Sequence, residues 1–227
     1  MPGFKQSDVF KDAAVILQDS GFARWGLPDM NKHLNAGIRE LALNKPNAVS
    51  KHAFLSLAAG SYQSLTEPQF SIIRALNNVN GPPITEISRE VLDGMIPGWT
   101  NPAMYPPSAT VEHILYDPAD PTSYRVYPIN DGQGAIEVIV AELPPALPDG
   151  TAATDVDTFT QVVPLGEIYR QALVDYVISK CFAADAESPN SFNRSQSHYQ
   201  LFANAIGMKF KAEVIASPKT TNTPPPA

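Results

Sequence analysis

The sequence holds a single cysteine, Cys181, which excludes an intramolecular disulfide and leaves no cluster of soft metal ligands. No stretch approaches the ~18 apolar residues of a membrane-spanning helix. The opening MPGFKQSDVFKD lacks a signal-peptide core, so synthesis in the cytoplasm is expected. Basic charge is also short, with 16 Lys and Arg against 23 Asp and Glu for a net charge of −7. A free-standing nucleic-acid binder concentrates Lys and Arg, because phosphate contacts dominate its affinity. The same acidity argues against docking on an anionic membrane. Charged residues of all kinds make up 17%, below the roughly 25% of an average protein, and this points to extensive contact surfaces. There is no HExxH, no GxSxG elbow, no GxxxxGK and no GxGxxG, so an enzyme reading has no residues to stand on.

What the chain does have is proline and apolar residues. Its 22 prolines are about twice the usual ~5% share. Proline fixes φ and donates no backbone hydrogen bond, so turns, edge strands and extended arms are expected. Hydrophobic residues make up 44% of 227, enough for a sizeable core.

Helical periodicity opens the chain. From Ser7, Val9, Phe10, Ala13, Ile16 and Leu17 recur at helical spacing and Ser20-Gly21 supplies a stop. Leu27, Met30, Leu34, Ile38 and Leu41 then form one stripe, with Pro28 suited to the first turn and Lys45-Pro46 as the end. From Asn47 the pattern turns β-like. Runs at 51–57 and 62–65 around Ala59-Gly60-Ser61 suggest a hairpin, and 71–76 another strand. Ser88 caps a short helix over 89–95 that Pro97-Gly98 ends. Residues 111–116 and 124–127 alternate around the turn 117–121, and 135–143 is a strand with one wetter face. Asp131-Gly132-Gln133-Gly134 is a hairpin-type turn, and 143–158 is a loop with no packing signal.

Helix returns after Pro164. Leu165, Ile168, Tyr169, Ala172, Leu173, Tyr176 and Val177 fall on one face, and Glu167, Arg170, Gln171 and Asp175 on the other. A last helix carries Phe192, Tyr199, Phe202, Ala203, Ile206 and Phe210. The expected fold is α+β, a four-helix bundle made from the N- and C-terminal helix pairs with a β-rich insertion between them. Its parts would be a helical hairpin at 1–46, the insertion at 47–163, the closing helices at 164–216 and a flexible Pro-rich arm at 217–227.

Candidate chemistry is thin. His33, His52, His113 and His198 show no paired ligand spacing and read as solvated or packing residues. Asp117 and Asp120 bracket prolines, and Asp155 and Asp157 flank a valine; both sets are too short for a calcium loop and suit turns. Cys181 beside Phe182 reads as a packed thiol. No catalytic, cofactor-binding or metal-binding residue is therefore assigned, and no cofactor. Tyr169, Tyr176, Tyr199, Phe202 and Phe210 read as core. Trp99, Tyr105, Tyr124 and Tyr127 stand among prolines and are candidates for protein–protein contact.

Ala14-Val15-Ile16-Leu17-Gln18-Asp19 with Arg24-Trp25, Leu34-Asn35 and Arg39-Glu40 resembles the opening helices of the adaptor (head–tail connector) proteins of tailed bacteriophages. The resemblance continues through 57–65, then 87–93 with Pro97-Gly98-Trp99, then 116–121 leading to Tyr127-Pro128. It closes with Tyr169, Tyr176-Val177, Asp185-Ala186-Glu187, His198-Tyr199 and the run from Phe202 to Gly207. It covers roughly 8–213; the loop 144–157 and the tail after Ser217 match no pattern. The family is similar in role to the tail-tubular and connector ring proteins of short-tailed phages. The resemblance implies a non-enzymatic structural protein of the virion neck, forming a ring of twelve copies that binds the portal protein above. Below, it implies a tail tube, nozzle or further connector, with DNA passing through without specific binding and no membrane contact. The alternative reading is a peripheral tail decoration or receptor-contact module, with a hydrolase a distant third.

Overall fold

Helix α4 (Arg170–Ala184) is buried at every position from Ala172 to Ser179, with Leu173, Val174, Tyr176, Val177 and Ile178 there and Cys181 beyond them all buried. A helix of this kind needs cover on every side, and the fold is built to supply it. This is a computed structural model, and it describes residues 3–117, 119–185 and 189–208. Around α4 lie α1 (Gln6–Leu17), α2 (Leu27–Asn44) and α5 (Pro189–Ile206). They contribute Val9, Phe10, Ala13 and Leu17, then Leu27, Met30, Leu34, Ile38 and Leu41, then Phe202 and Ile206 to one core. Each packs on α4, while α1 and α2 touch one another little.

The α+β class holds, but the expected four-helix bundle with complementary pairs does not form. The first two helices are no hairpin with a shared face. The expectation gave α4 one polar side, yet Asp175 on that side is buried, with its carboxylate 2.8 Å from His198 Nδ1. The loop expected to lack packing provides the remaining cover. Leu147, Phe159, Val163 and Leu165 enter the helical core, and Phe159 meets Phe10 edge to face at 5.3 Å. Asn35 holds Leu147 by both its backbone N–H (2.7 Å) and its carbonyl (2.9 Å). Buried Asn31 donates to the same carbonyl and to Asp149, and accepts from Gln6. These amides replace the secondary structure that the segment lacks, satisfying its backbone inside the fold. Gly37 sets how closely α2 approaches α4, since a Cβ there would lie 2.8 Å from the Tyr176 ring.

A short 3₁₀ turn, Pro46–Val49, leads into the β part. Its strands are β1 (Ser50–Ser56), β2 (Gly60–Ser64), β3 (Gln69–Asn78), β4 (Thr85–Glu86), β5 (His113–Asp117), β6 (Asp120–Asn130) and β7 (Ala135–Glu142). They form one sheet ordered β1-β7-β3 and another ordered β2-β6-β5-β4. The hairpin expected between the first two strands is absent. β1 pairs with β7 from Ser50↔Ala141 to Ser56↔Ala135, whereas β2 pairs with β6. The chain at Ala58-Ala59 crosses from one sheet to the other, a step that short alternating strands do not announce.

The turn between β6 and β7 makes the same crossing. Asn130 Oδ1 accepts from the N–H groups of Gly132 and Gly134 there. A Cβ on Gly134 would come within 2.4 Å of the Ala109 carbonyl oxygen. Between the sheets lie Ile114, Tyr124, Val126, Ile136, Val138 and Val140. A third, small core on the other face of the four-stranded sheet holds Leu92 from helix α3 (Arg89–Met95), Trp99 and Leu115. Ile114 and Leu115 serve opposite faces because neighbouring strand residues alternate.

Candidate interaction surfaces

The Ser88 hydroxyl accepts from Val91 N at the start of α3, fixing where that helix leaves the sheet. Between its first turn and the outer face of β2, β6 and β5 is a cleft of ≈ 880 Å³. Tyr62 forms one wall, with the Arg125 guanidinium 5.5 Å from its ring centroid. Glu86, Glu90, Asp117 and Asp120 stand around it. Asp120 accepts from the hydroxyls of Ser123 and Thr122, both at 2.7 Å, and these bonds hold its carboxyl below the usual range. The cleft is open and charged, unlike the enclosed apolar pockets with a few convergent polar groups that bind small molecules. Its acidity belongs to a wider pattern. Residues 47–163 contain four Lys and Arg against thirteen Asp and Glu, a net −9, while the rest of the chain has twelve against ten, a net +2.

The opposite character appears along α4 and α5. Lys180 Nζ lies 4.9 Å from the Tyr176 ring and 5.5 Å from the Tyr199 ring. Arg194 lies 5.4 Å from Phe182, and Lys45 lies 5.3 Å from Tyr169. Phe192 and Leu201 on α5 are exposed, and so is Ile168 just before α4, although Phe192 and Ile168 stand in the expected apolar stripes. A third surface is the outer side of α3 with Met104, where Val91, Met95 and Met104 are uncovered.

The residues weighed in the sequence scatter over the molecule. His52 pairs with Glu137 at 2.6 Å on the three-stranded sheet. His113 stacks on Tyr127 and lies 2.5 Å from the Thr85 hydroxyl. His33 stands between α2 and α4, where burial pushes its pKa down. His198 stacks on Phe182 and bonds Asp175. Asp117 accepts from Ala119 N, Asp155 from Asp157 N, and Asp157 pairs with Lys11. Burial pushes the Cys181 thiol up to about 12. Among the described residues no group of three His, Cys, Asp or Glu comes together to hold a metal ion, and no helix is long and apolar enough to cross a membrane.

The contact role expected of Trp99 and Tyr124 is overturned: both are buried. The Trp99 indole donates to Asp93 at 2.7 Å and meets Tyr127 edge to face, with Tyr105 beside it. Trp99, with partly buried Tyr105 and Tyr127, builds the third core, whereas Tyr124 is used between the sheets. Tyr176 and Phe202 are buried as expected; Phe210 and the 217–227 arm lie outside the described residues. The cation-bearing side was missed, although Tyr176 and Lys180 stand four apart, the spacing at which helix side chains meet.

Comparison with protein families settles which class of protein carries these surfaces. A model of the SU10 adaptor protein family matches residues 6–224. The chain belongs to the SU10 adaptor family. It is thus a phage structural adaptor, of a kind that is not typically enzymatic and works by contact with other virion proteins. No curated protein matches the chain. For an SU10 adaptor the exposed surfaces become the features to explain.

Proposed function

We propose that this adaptor assembles as a twelve-copy ring in the virion neck, between the portal protein and a tail tube, nozzle or further connector, and lets DNA pass through. Membership of the SU10 adaptor family over residues 6–224 carries the reading. The charge distribution supports it: a β part with a net −9 offers phosphates no adhesive lining, and a conduit must not grip its cargo. Separate exposed surfaces on α3 and on α4–α5 suit a component with several neighbours. The Pro-rich arm 217–227 docks on the portal, since an extended Pro-containing segment loses little entropy on binding.

The test is a symmetry-free electron cryomicroscopy reconstruction of the neck in assembled particles. The expected result is a ring of this chain around the DNA axis below the portal. Density on the outer surface alone would replace the reading with a tail decoration. Deleting 217–227 is expected to weaken portal attachment, measured by co-sedimentation with portal rings; unchanged attachment would remove the arm from the mechanism.

A further inference from the structure

Two surfaces of each copy carry unlike charges that find no ion-pair partner among the described residues. Lys45, Lys180 and Arg194 form no ion pair among the described residues. Each lies over a ring, and the rings run from Tyr169 to Phe182, about 20 Å at 1.5 Å per helical residue. Cations over aromatic rings have the composition of a protein interface, where aromatics and Arg are enriched. In the β part, Glu86, Glu90, Asp117 and Asp120 surround the cleft, and none of them is ion-paired among the described residues. Of the two cations of the cleft, Arg89 pairs with Asp93 and Arg125 lies over the Tyr62 ring, so the four carboxylates outnumber the one guanidinium that has no ion pair among the described residues.

We propose that the α4–α5 side of one copy seats against the acidic cleft of a second copy, head to tail. This rests on the adaptor reading, in which copies of the chain stand side by side. A patch that joins a different patch makes a heterologous contact, and heterologous contacts close into rings when the rotation allows. The complementary charges orient the encounter and reject the wrong registers, since like charges face to face cost several kcal/mol. DNA is the weaker occupant for the cationic side. Three cations over that length face a duplex carrying one phosphate charge per about 1.7 Å, and the remainder of the molecule repels it.

Charge reversal in trans tests the contact on the full chain. One variant carries Lys180→Glu with Arg194→Glu, the other Glu90→Lys with Asp120→Lys, and light scattering reads the association of each. Each alone is expected to associate on the order of a hundredfold more weakly than the unmodified chain. Their equimolar mixture is expected to recover association, because the reversed side of one variant meets the reversed cleft of the other, and each intact side meets an intact cleft. Chemical crosslinking should then join unlike variants only.

Normal association of either variant alone, or no recovery by a mixture whose members both melt near the unmodified chain, overturns the proposal. So does an unmodified chain that stays monomeric at every concentration reached. Retention of duplex DNA that Lys180→Glu with Arg194→Glu abolishes, with association untouched, would assign the cationic side to DNA and overturn it too. Failed recovery with the chain still found in the neck removes this contact and leaves the adaptor reading standing. Recovery with the chain absent from the neck does the reverse.

Discussion

α4 and β7 are both central elements, yet they are covered in different ways. α4 is enclosed by three helices and by the irregular segment that Asn31 and Asn35 hold in place. β7 has neighbours on both edges and buries Ile136, Val138 and Val140 on one face, while Glu137 on its other face reaches His52. The helical part therefore has a single deep centre, and the β part has three thin layers with charge left at the surface. Truncation at the deep centre leaves a void that surrounding helices cannot close, whereas a sheet with a half-open face can relax toward solvent.

The sharpest break of this comparison is a pair of truncations. Leu173→Ala in α4 is expected to cost about 4 kcal/mol and Ile136→Ala in β7 about 2–3 kcal/mol, read by urea denaturation; equal losses would mean that the two centres are enclosed alike. Next come two glycines. Gly134→Ala should cost about 3 kcal/mol, because its Cβ would stand 2.4 Å from a backbone oxygen that cannot move away. Gly37→Ala also crowds the Tyr176 ring, but the gain of about 1 kcal/mol in helix propensity offsets part of that, leaving a net loss near 1 kcal/mol. A larger loss at Gly37 than at Gly134 would show that the α2–α4 contact is the stiffer one.

A smaller effect is expected at the latch. Asn35→Ala removes both bonds to Leu147, costs about 1–2 kcal/mol and exposes 144–158 to limited proteolysis while the β part keeps its resistance. The smallest is confined to alkaline pH. The Tyr199 hydroxyl donates to Glu40 at 2.5 Å, and that bond, with burial, pushes its pKa up to about 12 from the usual 10. The folded-state value is raised, so the stabilisation is complete below pH 10 and is lost as pH rises through about 12. Amide exchange of α5 should accelerate over that window, and Tyr199→Phe should flatten the dependence. A response of equal size in β-part amides would show that the two parts respond as one.

Much of the fold can be read from residue patterns. All five apolar residues of the α2 stripe are buried, the Ser88 cap and the α3 span stand where the pattern put them, and the 117–121 turn joins a true hairpin, β5 with β6. The errors share one cause. Apolar spacing tells which side of an element avoids water, and it is silent on which element covers it. Hence β1 and β2, neighbours in sequence, pair in different sheets. Asp175 and Ile168 mislead in opposite directions: the carboxylate is buried because His198 meets it, and the isoleucine is exposed because a 3₁₀ turn precedes α4.

The sequence by itself determined the elements, the α+β class, the want of catalytic motifs and the resemblance to phage adaptors, since each rests on local spacing or on residue identity. Only the tertiary structure decided that α4 is buried along its middle, that Trp99 fills a core, and that cations and carboxylates without ion pairs among the described residues end on separate surfaces. Those outcomes depend on which distant segments compete for the same apolar surface, and that competition is resolved by packing in three dimensions.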